Sequence, residues 1–168
     1  HKEIFEQPTV IGETLKSFID PELKKLKFNS KIFQDKINKI TLIACGTSAF
    51  ACRIARFWFE EFSDISVSVD IASEYRYRKL LKTDNEVVIF ISQSGETRDT
   101  LASLEEAKTN GLKTISIVNV LDSSIARLAG ENIFTLAGPE IGVASTKAFT
   151  TQLLTLLIMA ILLGKNKD

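Results

Sequence analysis

Five short apolar runs punctuate the chain, at 40–44, 67–71, 86–91, 114–118 and 132–136. Runs of this length suit strands buried on both faces, as in a parallel sheet. Between the first two, Ala51, Ile54, Ala55, Trp58 and Phe62 recur at helical spacing, while Arg53, Arg56, Glu60 and Glu61 supply much of the other side. Leu101, Leu104 and Ala107 repeat that pattern between the third and fourth runs, and Asn110-Gly111 is a helix stop. Met159 and the aromatics Phe57, Trp58 and Phe59 read as packing residues. A short helix is expected around 10–19, halted by Asp20-Pro21.

Strand alternating with helix predicts a doubly wound α/β fold, because parallel strands need crossover helices. The expected architecture is a three-layer α/β/α sandwich on a mainly parallel five-stranded sheet. Residues 1–38 would be a linker and helical lead-in, and 39–168 the domain proper. Ligands in such folds bind outside the carboxyl ends of the strands.

With 168 residues the chain can bury a core without disulfide or metal staples. Lys+Arg 21 balances Asp+Glu 21, which offers no basic face for nucleic acid. Cys45 and Cys52 have neither a CxxC partner nor a Cys/His cluster, so no metal is expected, and a reducing cytoplasm fits. The only histidine is His1, which leaves no internal imidazole as a base. The apolar run 153–163 is shorter than the roughly 20 residues that span a bilayer, and reads as a buried helix.

Two segments place small polar residues where a strand gives way to a helix: ACGTS at 44–48 and SQSGET at 92–97. Together they offer Thr47, Ser48, Ser92, Gln93, Ser94 and Thr97 beside the free N–H groups of two helix N-termini, an arrangement suited to a phosphate monoester. Gly46 and Gly95 would let backbone approach a ligand closely. The alternative is that these hydroxyls simply cap their helices. Neither GxxxxGK[ST] nor GxGxxG occurs, so ATP and NAD are disfavoured and no cofactor is expected. A third segment, VASTKAFT at 143–150, also sits at the start of an apolar helix.

ACGTS, SQSGET and EIGVASTKAFTTQL at 140–153 together closely resemble the first sugar-isomerase (SIS) domain of the glucosamine-6-phosphate synthase family, a flavodoxin-like fold. KEIFEQP at 2–8 and IASEYRYRK at 71–79 resemble stretches of the same family, so the likeness covers nearly the whole chain. The resemblance implies that a hexose 6-phosphate is held between SIS domains. Ser48, Ser92, Gln93 and Thr97 would ligate its phosphate, with Thr47 and Ser94 close to phosphate or sugar. Cys45 and Gly46 would shape the turn, and Val143 and Ser145 would border the sugar. One departure concerns pocket detail: the family often has an aromatic directly after Thr-Ser, where this chain has Ala49 and then Phe50.

The family's enzymes convert fructose 6-phosphate and glutamine to glucosamine 6-phosphate and glutamate, using an N-terminal glutaminase and two SIS domains. This chain carries motifs for the first SIS domain only, so it is expected to be the substrate-binding part of such an enzyme and to hold no catalytic residue. Glu140 and Lys147 are the nearest local substitutes for proton transfer, but they read as capping and ion-pair residues. Arg76 and Arg78 beside Leu80 and Leu81 read as a solvated helix face. The competing reading is a stand-alone SIS module that senses a sugar phosphate. Because 153–163 is apolar almost all round, Phe149, Leu153, Leu156, Leu157 and Ala160 are expected to cover the sheet while Leu154, Ile158, Ile161 and Leu162 face outward. That outward patch would favour a symmetric homodimer.

Overall fold

The computed structural model describes residues 1–27, 30–79 and 83–165. A lead-in helix α1 (Lys2–Ser17) is followed by a two-stranded antiparallel ribbon, β1 (Ile19–Asp20) and β2 (Lys25–Leu26), and a short 3-10 turn at Ile32–Gln34. Then come β3 (Lys39–Ala44), α2 (Gly46–Ser63), β4 (Ser66–Ile71), α3 (Ala72–Tyr75), β5 (Glu86–Ser92) and α4 (Arg98–Thr109). The chain closes with β6 (Lys113–Val118), α5 (Ser124–Leu128), β7 (Glu131–Phe134) and α6 (Lys147–Lys165).

The five longer strands form one sheet in the order β4-β3-β5-β6-β7, and every pair is parallel. All five predicted runs are strands of this sheet. Alternate residues feed two cores, as a pleated strand requires. Leu42, Ile89 and Ile117 point toward α2 and α6, whereas Ile43, Val88 and Phe90 meet α3, α4 and α5 on the other face. Strand β5 is buried at every position, which is why its sequence is apolar without alternation. The expected three-layer sandwich is therefore observed.

Some faces differ from the periodic reading. The buried side of α2 is Ala49, Ala51, Cys52, Ala55, Phe59 and Ser63, so Ala51 and Ala55 of the predicted stripe face inward and Trp58 packs against the core, while Ile54 and Phe62 do not. Ile54, Phe57 and Phe62 are exposed in consequence, although Phe59 is fully buried. Small residues here admit α6 alongside α2, so the buried face is chosen by close approach as well as by hydrophobicity. Helix α4 ends as predicted: Leu112 N–H donates to Ala107 O (3.0 Å) and Gly111 N–H to Lys108 O (2.8 Å), with Gly111 at φ +70°. This is a Schellman stop.

Helix α6 corrects a second expectation. Ala148, Thr151, Gln152, Thr155, Leu156, Ile158, Met159, Ala160 and Leu163 are buried, and Leu154, Ile161 and Leu162 are only partly exposed. Ile158 thus faces inward. The helix is apolar all round because α1 and α2 flank it while the sheet lies beneath. It is long and apolar enough to cross a membrane, yet 56% of that window is buried inside the protein.

Helix α1 begins eight residues earlier than expected, running through Pro8. Proline removes the N–H that would bond to Ile4 O, and Gln7 Nε2 donates to that carbonyl instead (3.1 Å). The helix ends at Ser17, and Asp20 then organises the following turn by accepting the Glu22 and Leu23 N–H groups (both 3.0 Å).

Candidate functional site

The order β4-β3-β5 means that the chain leaves β3 for one side of the sheet and β5 for the other. Ligands in doubly wound sheets collect at such a reversal, outside the strand carboxyl ends. Ala44 pairs with Ile91, so the turn that opens α2 and the turn that leads to α4 lie side by side there. The structure thereby brings Cys45, Gly46, Thr47 and Ser48 next to Ser92, Gln93, Ser94 and Thr97.

Ser92 ends β5 and is buried. Its Oγ accepts the Gly95 N–H (3.1 Å) and lies 2.9 Å from Thr97 Oγ1, so one hydroxyl fixes both ends of the turn. Ser94 Oγ accepts the Glu96 N–H (3.1 Å). The turn's carbonyls are engaged from behind: Asn119 N–H donates to Gln93 O (3.1 Å) and Ile125 N–H to Gly95 O (3.0 Å). Gly95 has φ +65°, and a Cβ there would sit 2.0 Å from Ser123 Oγ and 2.4 Å from its Cβ, so this position admits only glycine.

The capping alternative can be judged from the helix starts. Cys45 is the N-cap of α2 and Thr97 that of α4, and neither makes a side-chain capping bond. At two other helices the same job is done, while α1 and α3, like α2 and α4, have no side-chain cap. Ser123 Oγ accepts the Ala126 N–H at α5, and the Glu140 carboxylate accepts the Thr146 and Ala148 N–H groups (3.0 and 3.1 Å) at α6. The first-turn N–H groups of α2 and α4 therefore stay available beside neutral hydroxyls, with two helix dipoles aimed at one place. An anion with several acceptor oxygens complements this arrangement.

Val143 and Ser145 lie on the segment joining β7 to α6. Val143 is fully exposed, and Ser145 Oγ donates to Glu140 Oε2 (3.1 Å). No hydrogen bond among the described residues joins either one to the two turns. Glu140 and Lys147 are occupied structurally, as expected: Lys147 is buried, with Nζ 2.6 Å from Glu6 Oε2. Arg76 reaches Asp99 in the first turn of α4 (3.5 Å), and Arg78 pairs with Asp70. Leu80 and Leu81 lie outside the described residues.

Asn119 is a contributor that periodicity could not flag. Its Oδ1 accepts the Ala137 N–H (2.7 Å) and its Nδ2 donates to Gly138 O (2.7 Å), linking the SQSGET turn to the segment that carries Val143. Its only sequence signal is a lone amide at the end of an apolar run. Glu96 is another: it accepts the Ser124 N–H (2.7 Å), a bond that holds its carboxyl below the usual range. Both cysteines are free, and burial pushes the Cys52 thiol up. No group of three His, Cys, Asp or Glu among the described residues is arranged for a metal. A concavity of about 680 Å³ lies at the opposite end of the sheet, lined by Phe33, Lys36, Asp64 and Leu163, and holds none of these donors.

A family model for the SIS domain matches residues 32–162. The chain belongs to the SIS domain family. Among relatives of this SIS domain, the glutamine–fructose-6-phosphate aminotransferase (isomerizing) of Bradyrhizobium diazoefficiens is 49% identical over 168 residues, 99% of this chain and 28% of that protein. The enzyme of the same name from Brucella abortus is 48% identical over 161 residues, 95% of this chain and 26% of its own length. The chain thus spans little more than a quarter of these relatives. In structure it is similar to the C-terminal domain of glucosamine-fructose-6-phosphate aminotransferase from Francisella tularensis, with a TM-score of 0.93 and 41% identity over 99% of this chain and 47% of that one. Glucosamine-6-phosphate deaminase from Thermotoga maritima shares the fold at a TM-score of 0.77 and 20% identity, covering 98% of this chain and 48% of its own.

Proposed function

We propose that this SIS domain binds a hexose 6-phosphate as part of the isomerase half of a glucosamine-6-phosphate synthase. The observation that carries the reading is the pair of uncapped helix N-termini at the sheet reversal, flanked by Ser48, Ser92, Gln93 and Thr97. Supporting it are the 49% identity to a glutamine–fructose-6-phosphate aminotransferase (isomerizing) and the SIS match over residues 32–162. In this reading the phosphate rests on the two turns, with Thr47 and Ser94 beside it, and Cys45 and Gly46 set the path of the first turn. Val143 and Ser145 border the sugar.

Neutral donors hold a phosphate dianion through many directed bonds without a fixed cation, so affinity depends on geometry. A hydrogen bond to a charged group contributes about 1.5 to 3 kcal/mol. Ring opening and proton transfer fall to groups beyond this chain, since Glu140 and Lys147 are committed to α6 and α1. The glutaminase, the second SIS domain, a homodimer and a cytoplasmic setting belong to the same proposal, because the relatives are more than three times longer.

Calorimetry with fructose 6-phosphate and with fructose tests the reading. The phosphate ester is expected to bind and the free sugar not to bind. Equal affinity for the two would overturn it.

A further inference from the structure

The KEIFEQP stretch takes no part in the phosphate turns, yet one side of it meets the segment carrying Val143 and Ser145. Glu3 Oε1 accepts the Ile141 N–H (2.7 Å) and the Gly142 N–H (3.1 Å). One turn further on, Glu6 pairs with the buried Lys147 (2.6 Å), and Gln7 Oε1 accepts from Thr150 Oγ1 (2.5 Å). Positions 3, 6 and 7 share one helical side, so α1 meets the segment through Glu3 and the first turn of α6, which follows it, through Glu6 and Gln7. The fit at Gly142 is close: a Cβ there would lie 2.7 Å from Glu3 Oε2.

Little else holds this stretch. Ile141 and Val143 are almost wholly exposed, and Glu140 ties down Ser145 and the helix start beyond them. Its backbone at Ile141 and Gly142 is thus set from α1.

Resting on the reading of the site given above, we propose that Glu3 is a positioning residue that holds the segment with Val143 and Ser145 against the sugar, and so governs affinity for the sugar and not for the phosphate. A carboxylate that accepts two adjacent N–H groups fixes the local backbone direction, and with it where the neighbouring side chains point. Among the described residues no hydrogen bond joins Glu3 to the phosphate turns, whose bonds run to Asn119, Ser124 and Ile125 and to one another.

The test compares fructose 6-phosphate and inorganic phosphate, followed by NMR titration, on the unaltered chain, on Glu3→Ala and on Glu3→Gln. Glu3→Ala should weaken fructose 6-phosphate by about tenfold and leave inorganic phosphate unchanged, since small misplacements near a ligand are costly. Glu3→Gln retains an acceptor oxygen and should restore most of the loss. Equal weakening of both ligands, or of neither, overturns the proposal. Amide exchange on the unaltered chain supplies a readout that needs no variant: Ile141 and Gly142 should be protected, and free exchange at both would show that the grip is absent. Should the unaltered chain bind neither ligand, the reading of the site fails, while the exchange result still decides whether α1 holds the segment.

Discussion

Ser92 and Gly95 set the SQSGET turn, the proposed phosphate site, from opposite directions, one by what its side chain does and the other by having none. Ser92→Ala removes the hydroxyl that joins Gly95 N–H to Thr97 Oγ1. It should cost about 1 kcal/mol of stability while lowering affinity for fructose 6-phosphate roughly tenfold or more. A collapse of the thermal midpoint with affinity kept in the folded fraction would contradict that assignment. Gly95→Ala meets both a left-handed φ and the Ser123 side chain, so a loss on the order of 3 kcal/mol is expected by denaturant titration. At this scale the sequence was informative, because hydroxyls, amides and glycines after apolar runs have few other uses in combination. What it could not tell was whether Thr97 caps its own helix or faces Ser92, since both use the same atom. Asn119 escaped notice because a single amide has no period.

Among the elements, strands were legible and helix faces less so. A strand buried on both sides announces itself by an unbroken apolar run, as β5 does. A helix flanked by two others does not reveal which neighbour takes which side, so Ile158 of α6 was expected to face outward and instead is buried in the core shared by the sheet, α2 and α6. Ile158→Glu should therefore fail in folding, by several kcal/mol, and a folded variant with only its association state changed would contradict the structure. The early start of α1 was hidden by Pro8, whose lost bond is replaced by the Gln7 side chain. The grip of α1 also predicts an acid response. Backbone bonds from Ile141 and Gly142 hold the Glu3 carboxyl below its ordinary value of 4.5, and the Lys147 hydrogen bond lowers that of Glu6. Stability from these carboxylates is fully present above that ordinary value and is lost as pH falls through their lower folded values. Between about pH 5 and pH 3 the thermal midpoint should fall more steeply for the unaltered chain than for Glu3→Gln/Glu6→Gln. Parallel falls would show that other carboxylates carry the acid response.

For the molecule as a whole, a single architectural fact places the site: β3 and β5 are neighbours whose following helices lie on opposite sides of the sheet. Strand order cannot be read from periodicity, which is why the sequence suggested two phosphate turns without showing that they touch. The resemblance to a longer enzyme carried the rest, including the expectation that this chain lacks the groups for ring opening. Incubated with glutamine and fructose 6-phosphate as the only protein, it should yield no glucosamine 6-phosphate, and accumulation of that product would contradict the division of labour proposed here. The most direct measurement is an amide-resolved NMR titration with fructose 6-phosphate. Resonances of residues 46–48 and 93–97 should shift together and saturate at one affinity, while those of 33–38, at the far concavity, stay in place. Shifts confined to 33–38, with the two turns unmoved, would contradict the account.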